Sequence, residues 1–148
     1  MIHSYEIVEI AERHLIGSTK SISEETPDMS FWGAFYRSYY HLIPQRVNEK
    51  VYEVYTPLPT EKTGYQVAIA CESHYMLPLP AELTAVTIPA GAYAKFTITG
   101  EVHEVVPQFW KDLANQQLPF TRSYHCDFEE FPNNETEDVT ITIYLSIH

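Results

Sequence analysis

"VVPQFWKDLANQQL", Val105 to Leu118, decides how this chain is read. Val106, Phe109, Trp110, Leu113 and Gln117 recur at helical spacing, which predicts an amphipathic helix. Pro107 is expected near its start, where the missing amide would be unpaired anyway, and Pro119 ends it. The only other tryptophan, Trp32, also follows a phenylalanine, in "SFWGAFYRSYYHLI". Here Phe31, Trp32, Phe35, Tyr39, Leu42 and Ile43 form a helical stripe, with Ser30 as N-cap and Pro44 closing the helix. The two Phe-Trp pairs lie 78 residues apart.

The segments around the two helices repeat in the same order. Tyr5 to Ile16 reads as a strand interrupted near Ala11 to His14. "ELTAVTIPAGAYAKFTITG" reads as a strand with a bulge or kink at Pro89 and Gly91. After the helices, "KVYEVYT" and "GYQVAIACES", joined by "PLPTEKTG", answer to "YHCDFEEF" and "DVTITIYLSI", joined by "PNNETE". Ile10-Ala11 matches Ile88-Pro89 at offset 78, "YEVY" (Tyr52–Tyr55) matches "FEEF" (Phe128–Phe131) at 76, and the last strands match at 74. The offset shrinks only where turns can lose residues. The expected fold is α+β: a tandem, pseudo-twofold β-α-β-β repeat forming a mostly antiparallel curved sheet with two helices and a central cleft. A single domain over 1–148 is expected, with repeat one about 1–77 and repeat two about 78–148. Clefts at such seams suit small molecules.

Composition narrows the function. With 148 residues and 45% hydrophobic content the chain can bury a real core. No run approaches the ~20 apolar residues of a membrane span, and "MIHSYEIVEIAERH" lacks the basic start and apolar run of a secretion signal. A cytoplasmic location without membrane contact is expected, with Cys71 and Cys126 as buried reduced thiols. Twenty acidic against nine basic residues give a net charge of −11, which disfavours direct nucleic-acid binding. That charge serves solubility, or it concentrates cationic small molecules.

Candidate chemistry centres on the last two strands. Val139, Ile141, Ile143, Leu145 and Ile147 share one face, and Thr140, Thr142, Tyr144 and Ser146 the other. In the strand before, Asp127, Glu129 and Phe131 lie opposite Phe128 and Glu130. If Glu129 faces the same way as Thr142 and Tyr144, a carboxylate, a phenol and aromatic rings converge. A cationic ligand would relieve an unpaired buried carboxylate, and each good ring contact adds about 0.5–2 kcal/mol. The plainer alternative is an exposed strand glutamate, and Glu53, the repeat partner of Glu129, carries the same ambiguity. Trp32 and Trp110 are core residues by default, although the repeat places both near the seam, where one could face a ligand. His125 and Cys126 point opposite ways and His74 and His103 lack spaced partners, so no metal or cofactor is expected. No G-x-S-x-G, P-loop or H-E-x-x-H motif occurs.

"IPAGAYAKFTITG", "VVPQFWKDL" and "DFEEFPNNETEDVTITIYLSI" together resemble the bacterial effector-binding domains found in AraC-type and related drug-sensing regulators and in gyrase-inhibitory proteins. "FWGAF", "YEVYTPL" and "GYQVAIA" extend the resemblance more loosely into the first half. It implies the doubled fold and a seam pocket for lipophilic, often cationic, molecules, with a buried glutamate as counter-ion. By position in the Phe-Glu-x-aromatic motif that glutamate is Glu129. Tyr144 matches a pocket aromatic, and Trp110, Phe131, Tyr93 and Trp32 complete the expected lining. Many relatives have a second acidic residue where this chain has Thr142, and often proline in place of Ser146. The recognised fold uses the whole chain, so no DNA-binding domain is expected; the chain resembles a standalone member that senses or sequesters a hydrophobic cation. A DNA-binding function would then come from a protein partner. Two alternatives are a hydrolase, with Glu129 as base and Tyr144 as acid, and an adaptor that modulates a regulator or topoisomerase.

Overall fold

The β-branched and aromatic runs become strands, and the two Phe-Trp stretches become the helices that cover one side of them. The computed structural model describes residues 3–22, 30–57 and 65–148, with backbone only for Ile22 and Ser30. In chain order the elements are β1 (Tyr5–Ile10), β2 (Arg13–Ile22), α1 (Ser30–Ser38), a 3-10 turn (Tyr40–Leu42), β3 (Val51–Pro57) and β4 (Tyr65–Glu72). Then follow β5 (Thr84–Ile88), β6 (Gly91–Gly100), α2 (Val102–Ala114), β7 (Asp127–Phe131) and β8 (Val139–Ser146). The strands form one curved, open antiparallel sheet in the order β1-β6-β8-β7-β3-β4-β2-β5. Exchanging the two halves of the chain turns this order into its own reverse. A pseudo-twofold axis therefore passes between β3 and β7.

The expected interruptions are deeper than bulges. The break after Ile10 separates β1, which pairs with β6, from β2, which pairs with β4 and β5. Pro89 and Ala90 do the same between β5 and β6, and Gly91 takes φ +148°, a conformation that favours glycine. Each half thus sends its first strand to the other half's sheet edge. Gly17 answers to a different constraint: a Cβ there would lie 2.0 Å from the Ile69 carbonyl oxygen, so β2 and β4 approach closely only because it is glycine.

Both helices pack on one face. Phe35 of α1 meets Ile16, Val51, Ile69 and Cys71; Phe109 and Leu113 of α2 meet Phe96, Ile141, Ile143 and Leu145. The opposite face, inside the curve, holds a third cluster that includes Leu15, Tyr52, Val54, Tyr93, Phe128 and Tyr144. Strand alternation dictates this division, because neighbouring residues point to opposite sides. Cys71 and Cys126 are free and buried, and burial pushes both thiols up to about 12.

Three local expectations change. α2 opens at Val102, where the Glu101 carboxylate caps it by accepting from the His103 amide at 2.6 Å. Pro107 therefore lies inside the helix rather than at its start, and Gln117 lies beyond its end. α1 stops at Ser38, so Leu42 and Ile43 belong to the 3-10 turn and its C-cap. The capping role of Ser30 and most of the "PLPTEKTG" turn lie outside the described residues.

Ser146 explains one departure from the family pattern. Its amide donates to Asp127 Oδ1 at 3.0 Å, and its hydroxyl accepts from the amides of His125 and Cys126 at 3.0 and 3.1 Å. Arg122 completes the knot, with Nη2 2.7 Å from Asp127 Oδ2. Proline would remove both the donor and the acceptor. Ser146→Pro should cost about 1–3 kcal/mol, read as a lower urea midpoint at unchanged m.

Candidate functional site

The two central strands meet at the pseudo-twofold axis, and the register sets Glu53 opposite Glu129. Cross-strand partners share a face. Glu129 is also opposite Ile143, so both glutamates lie on the helix-covered side. Glu129 has no exposed surface at all.

Each carboxyl is held by the tryptophan of its own half. Trp32 Nε1 donates to Glu53 Oε2 at 3.0 Å, and Trp110 Nε1 donates to Glu129 Oε2 at 2.7 Å. Each indole also meets a ring of the other half edge-on: Trp32 meets Phe131 at 5.0 Å and 77°, and Trp110 meets Tyr55 at 6.1 Å and 75°. Tyr55 and Phe131 are repeat equivalents, as are the two glutamates. One atom breaks the symmetry. The Tyr55 hydroxyl interacts with both carboxyls, and Phe131 has nothing comparable.

Burial raises the Glu129 carboxyl well above the usual carboxylate range; nearby Glu53 adds to this, and the Trp110 bond opposes it. Burial raises Glu53 as well, against the bonds it receives from Glu129, Trp32 and Tyr55. The Tyr55 phenol is pushed well above its ordinary value by burial first, then by Glu129 and Glu53. Among the described residues no donor of good geometry reaches Glu129 Oε1. Two facing carboxylates are acceptors only, so they bond to each other only when one carries a proton.

The six expected site residues divide between the two faces. Glu129, Trp110, Trp32 and Phe131 come together on the helix side. Tyr144 and Tyr93 lie inside the curve, where Tyr144 stacks on Phe128 at 4.4 Å and 14° and Tyr93 meets the same ring edge-on. The register gives the reason: Tyr144 is the partner of Phe128, whereas Glu129 is the partner of Ile143. The convergence of Glu129 with Thr142 and Tyr144 therefore does not occur, and the pairing of Glu129 as base with Tyr144 as acid has its two groups on opposite sides of the sheet. Thr142 is opposite Glu130, so an acidic residue there would not join Glu129. The second carboxyl on this face comes from Glu53. Sequence reasoning had the signal for Glu53 and Tyr55, since "YEVY" aligned on "FEEF" places them over Glu129 and Phe131.

The neighbouring Glu130 has a different fate. It points into the curve, where Arg13 Nη1 lies 3.3 Å and the Tyr52 hydroxyl 3.1 Å from its Oε1, and Lys50 Nζ lies 3.8 Å from Oε2. Glu130 is paired by the protein; among the described residues the groups acting on Glu53 and Glu129 include no cation. Two surface depressions, one beside Arg46 and one beside Met76, contain none of the residues around the carboxyl pair. Among the described residues no group of three or more His, Cys, Asp or Glu is placed to hold a metal, and no helix is long and apolar enough to cross a membrane.

The doubled sheet, with the carboxyl pair and its two indoles at the centre, is that of an effector-binding domain. The chain belongs to the Cass2 family of integron-associated effector-binding proteins, whose model matches residues 6–147. The integron cassette protein VCH_CASS2 of Vibrio cholerae is similar at 26% identity and TM-score 0.73, over 97% of this chain and 95% of that one. SAV2435, solved bound to tetraphenylphosphonium, shares the fold at 15% identity and TM-score 0.76, over 98% and 94% of the two chains. The Bacillus subtilis (strain 168) protein YobU, named as a transcriptional regulator, is 27% identical over 111 residues, 72% of this chain and 69% of its own length.

Proposed function

We propose that this protein is a receptor for lipophilic cations, with Glu129 and Glu53 as the counter-charge and Trp110, Trp32, Phe131 and Tyr55 as the walls. One observation carries the reading: a carboxyl pair, Glu129 fully buried and Glu53 half-buried, is bonded by two indoles with a phenol beside it, and among the described residues no basic side chain acts on it. An aromatic cation supplies the missing charge and gains cation–π contact with the same rings. Because Glu129 is fully covered, a ligand that reaches it must displace an indole. The net charge of −11 favours the approach of cations, and tetraphenylphosphonium, the ligand of the similarly folded SAV2435, is a natural first probe.

Tetraphenylphosphonium should quench the tryptophan fluorescence of the protein saturably. Glu129→Gln should weaken this binding at least tenfold, about 1.4 kcal/mol. Affinity unchanged by the substitution would refute the counter-charge role. The Tyr55 hydroxyl beside both carboxyls favours a second reading, hydrolysis of an electrophilic ligand, in which Tyr55 rather than Tyr144 is the acid. Recovery of the bound ligand chemically unchanged, over a panel that includes electrophiles, separates the receptor from the hydrolase. A regulator named among the relatives supports a sensing role.

A further inference from the structure

The geometry points to a site that counts charge: Glu53 and Glu129 give up one proton for each positive charge they accept, so the site takes compact aromatic dications as well as monocations. This rests on the receptor reading above and specifies its ligand class and its pH response.

Two carboxyls that are direct cross-strand partners, Glu129 fully buried and Glu53 half-buried, resist ionising together without a counter-charge. Among the described residues the surrounding groups supply none. α1 presents Trp32, against which Tyr36 stacks; α2 presents Trp110; β3 presents Tyr55; Ile69 and Ile143 are the apolar partners on β4 and β8. The next carboxylate on this face of β7, Asp127, is already paired with Arg122, and the helix bases Arg37 and Lys111 are exposed. The fully buried Glu129 Oε1, with no donor of good geometry, is the open valence of the pair.

Neutrality then fixes the proton count. A monocation is balanced by one ionised carboxyl, and the other keeps its proton. A dication is balanced only when both are ionised, so its arrival expels one proton more, which passes to solvent. The indoles bond to one oxygen of each carboxyl, so both remain held when both are charged. Position 142 plays no part, because its side chain lies opposite Glu130.

The test compares methyl viologen, a flat dication, with N-methyl-phenylpyridinium, its monocationic analogue. Neither carries a titratable proton. Calorimetric titration at about pH 6 in buffers of different ionisation enthalpy should show about one more proton released by methyl viologen. Its affinity should rise with pH more steeply, by up to about tenfold per pH unit relative to the monocation. Glu53→Gln should still bind the monocation but lose both the extra proton and the steeper slope. Equal proton release by the two probes overturns charge counting while leaving the receptor reading in place. Failure of both probes to bind overturns the two together.

Discussion

Phe128→Ala is expected to destabilise the protein by about 3–5 kcal/mol, the range for removing a buried aromatic ring. Phe128 has no exposed surface and is the hub of the cluster inside the curve. It stacks on Tyr144, meets Tyr93 edge-on at 5.5 Å, and lies beside Tyr52 at 6.2 Å. Tyr52 and Tyr144 flank it from the neighbouring strands, so the sheet backbone limits how far they can close the space. Urea denaturation should show the loss in the midpoint; a cost below about 1 kcal/mol would contradict the account. Ligand affinity per folded molecule should change little, because the ring points away from the carboxyl pair.

Glu129→Gln is expected to do the reverse for stability, and to do so as a function of pH. The buried carboxyl holds its proton to higher pH than it would in the unfolded chain. Between the ordinary glutamate value, about 4.3, and its raised native value, the folded state binds more protons than the unfolded state. That inequality makes stability fall as pH rises. The burial contribution is thus fully present below the unfolded value and lost as pH climbs through the native one. Glutamine does not titrate: its amide oxygen still accepts from Trp110, and its NH2 replaces the shared proton toward Glu53. The variant should match wild type near pH 4 and gain on it steadily as pH rises toward neutral. Parallel pH profiles of wild type and variant would show that this carboxyl is ionised in the unliganded protein. Together with the tenfold loss in affinity, the substitution exchanges function for stability at a single position.

The doubled architecture was visible in the sequence because its markers are rare residues in fixed order. Two Phe-Trp pairs and the "YEVY"/"FEEF" match marked the two halves; only the strand pairing puts the axis between β3 and β7. The strand count per half was less visible. Tyr5 to Ile16 has one continuous hydrophobic texture, and only long-range pairing shows that Ile10 and Arg13 belong to strands with different neighbours. The site was half visible for a related reason. Alternation says that Glu129 and Glu130 face opposite ways, but not which way is which. Only the β7–β8 register decides that, and a shift of one residue would have put Tyr144 beside Glu129. Tyr144 therefore separated from the glutamate, and Tyr55 took its place.

That Tyr55 stands where its counterpart is Phe131 has a wider meaning. Two identical copies of one half, trading first strands, could build the same eight-stranded sheet. Such a homodimer would have to carry the same side chain at both positions, two phenols or none. Joining the halves in one polypeptide releases that constraint. A single hydroxyl can then sit off-centre beside twin carboxyls, giving the pair a left and a right that exact twofold symmetry would forbid.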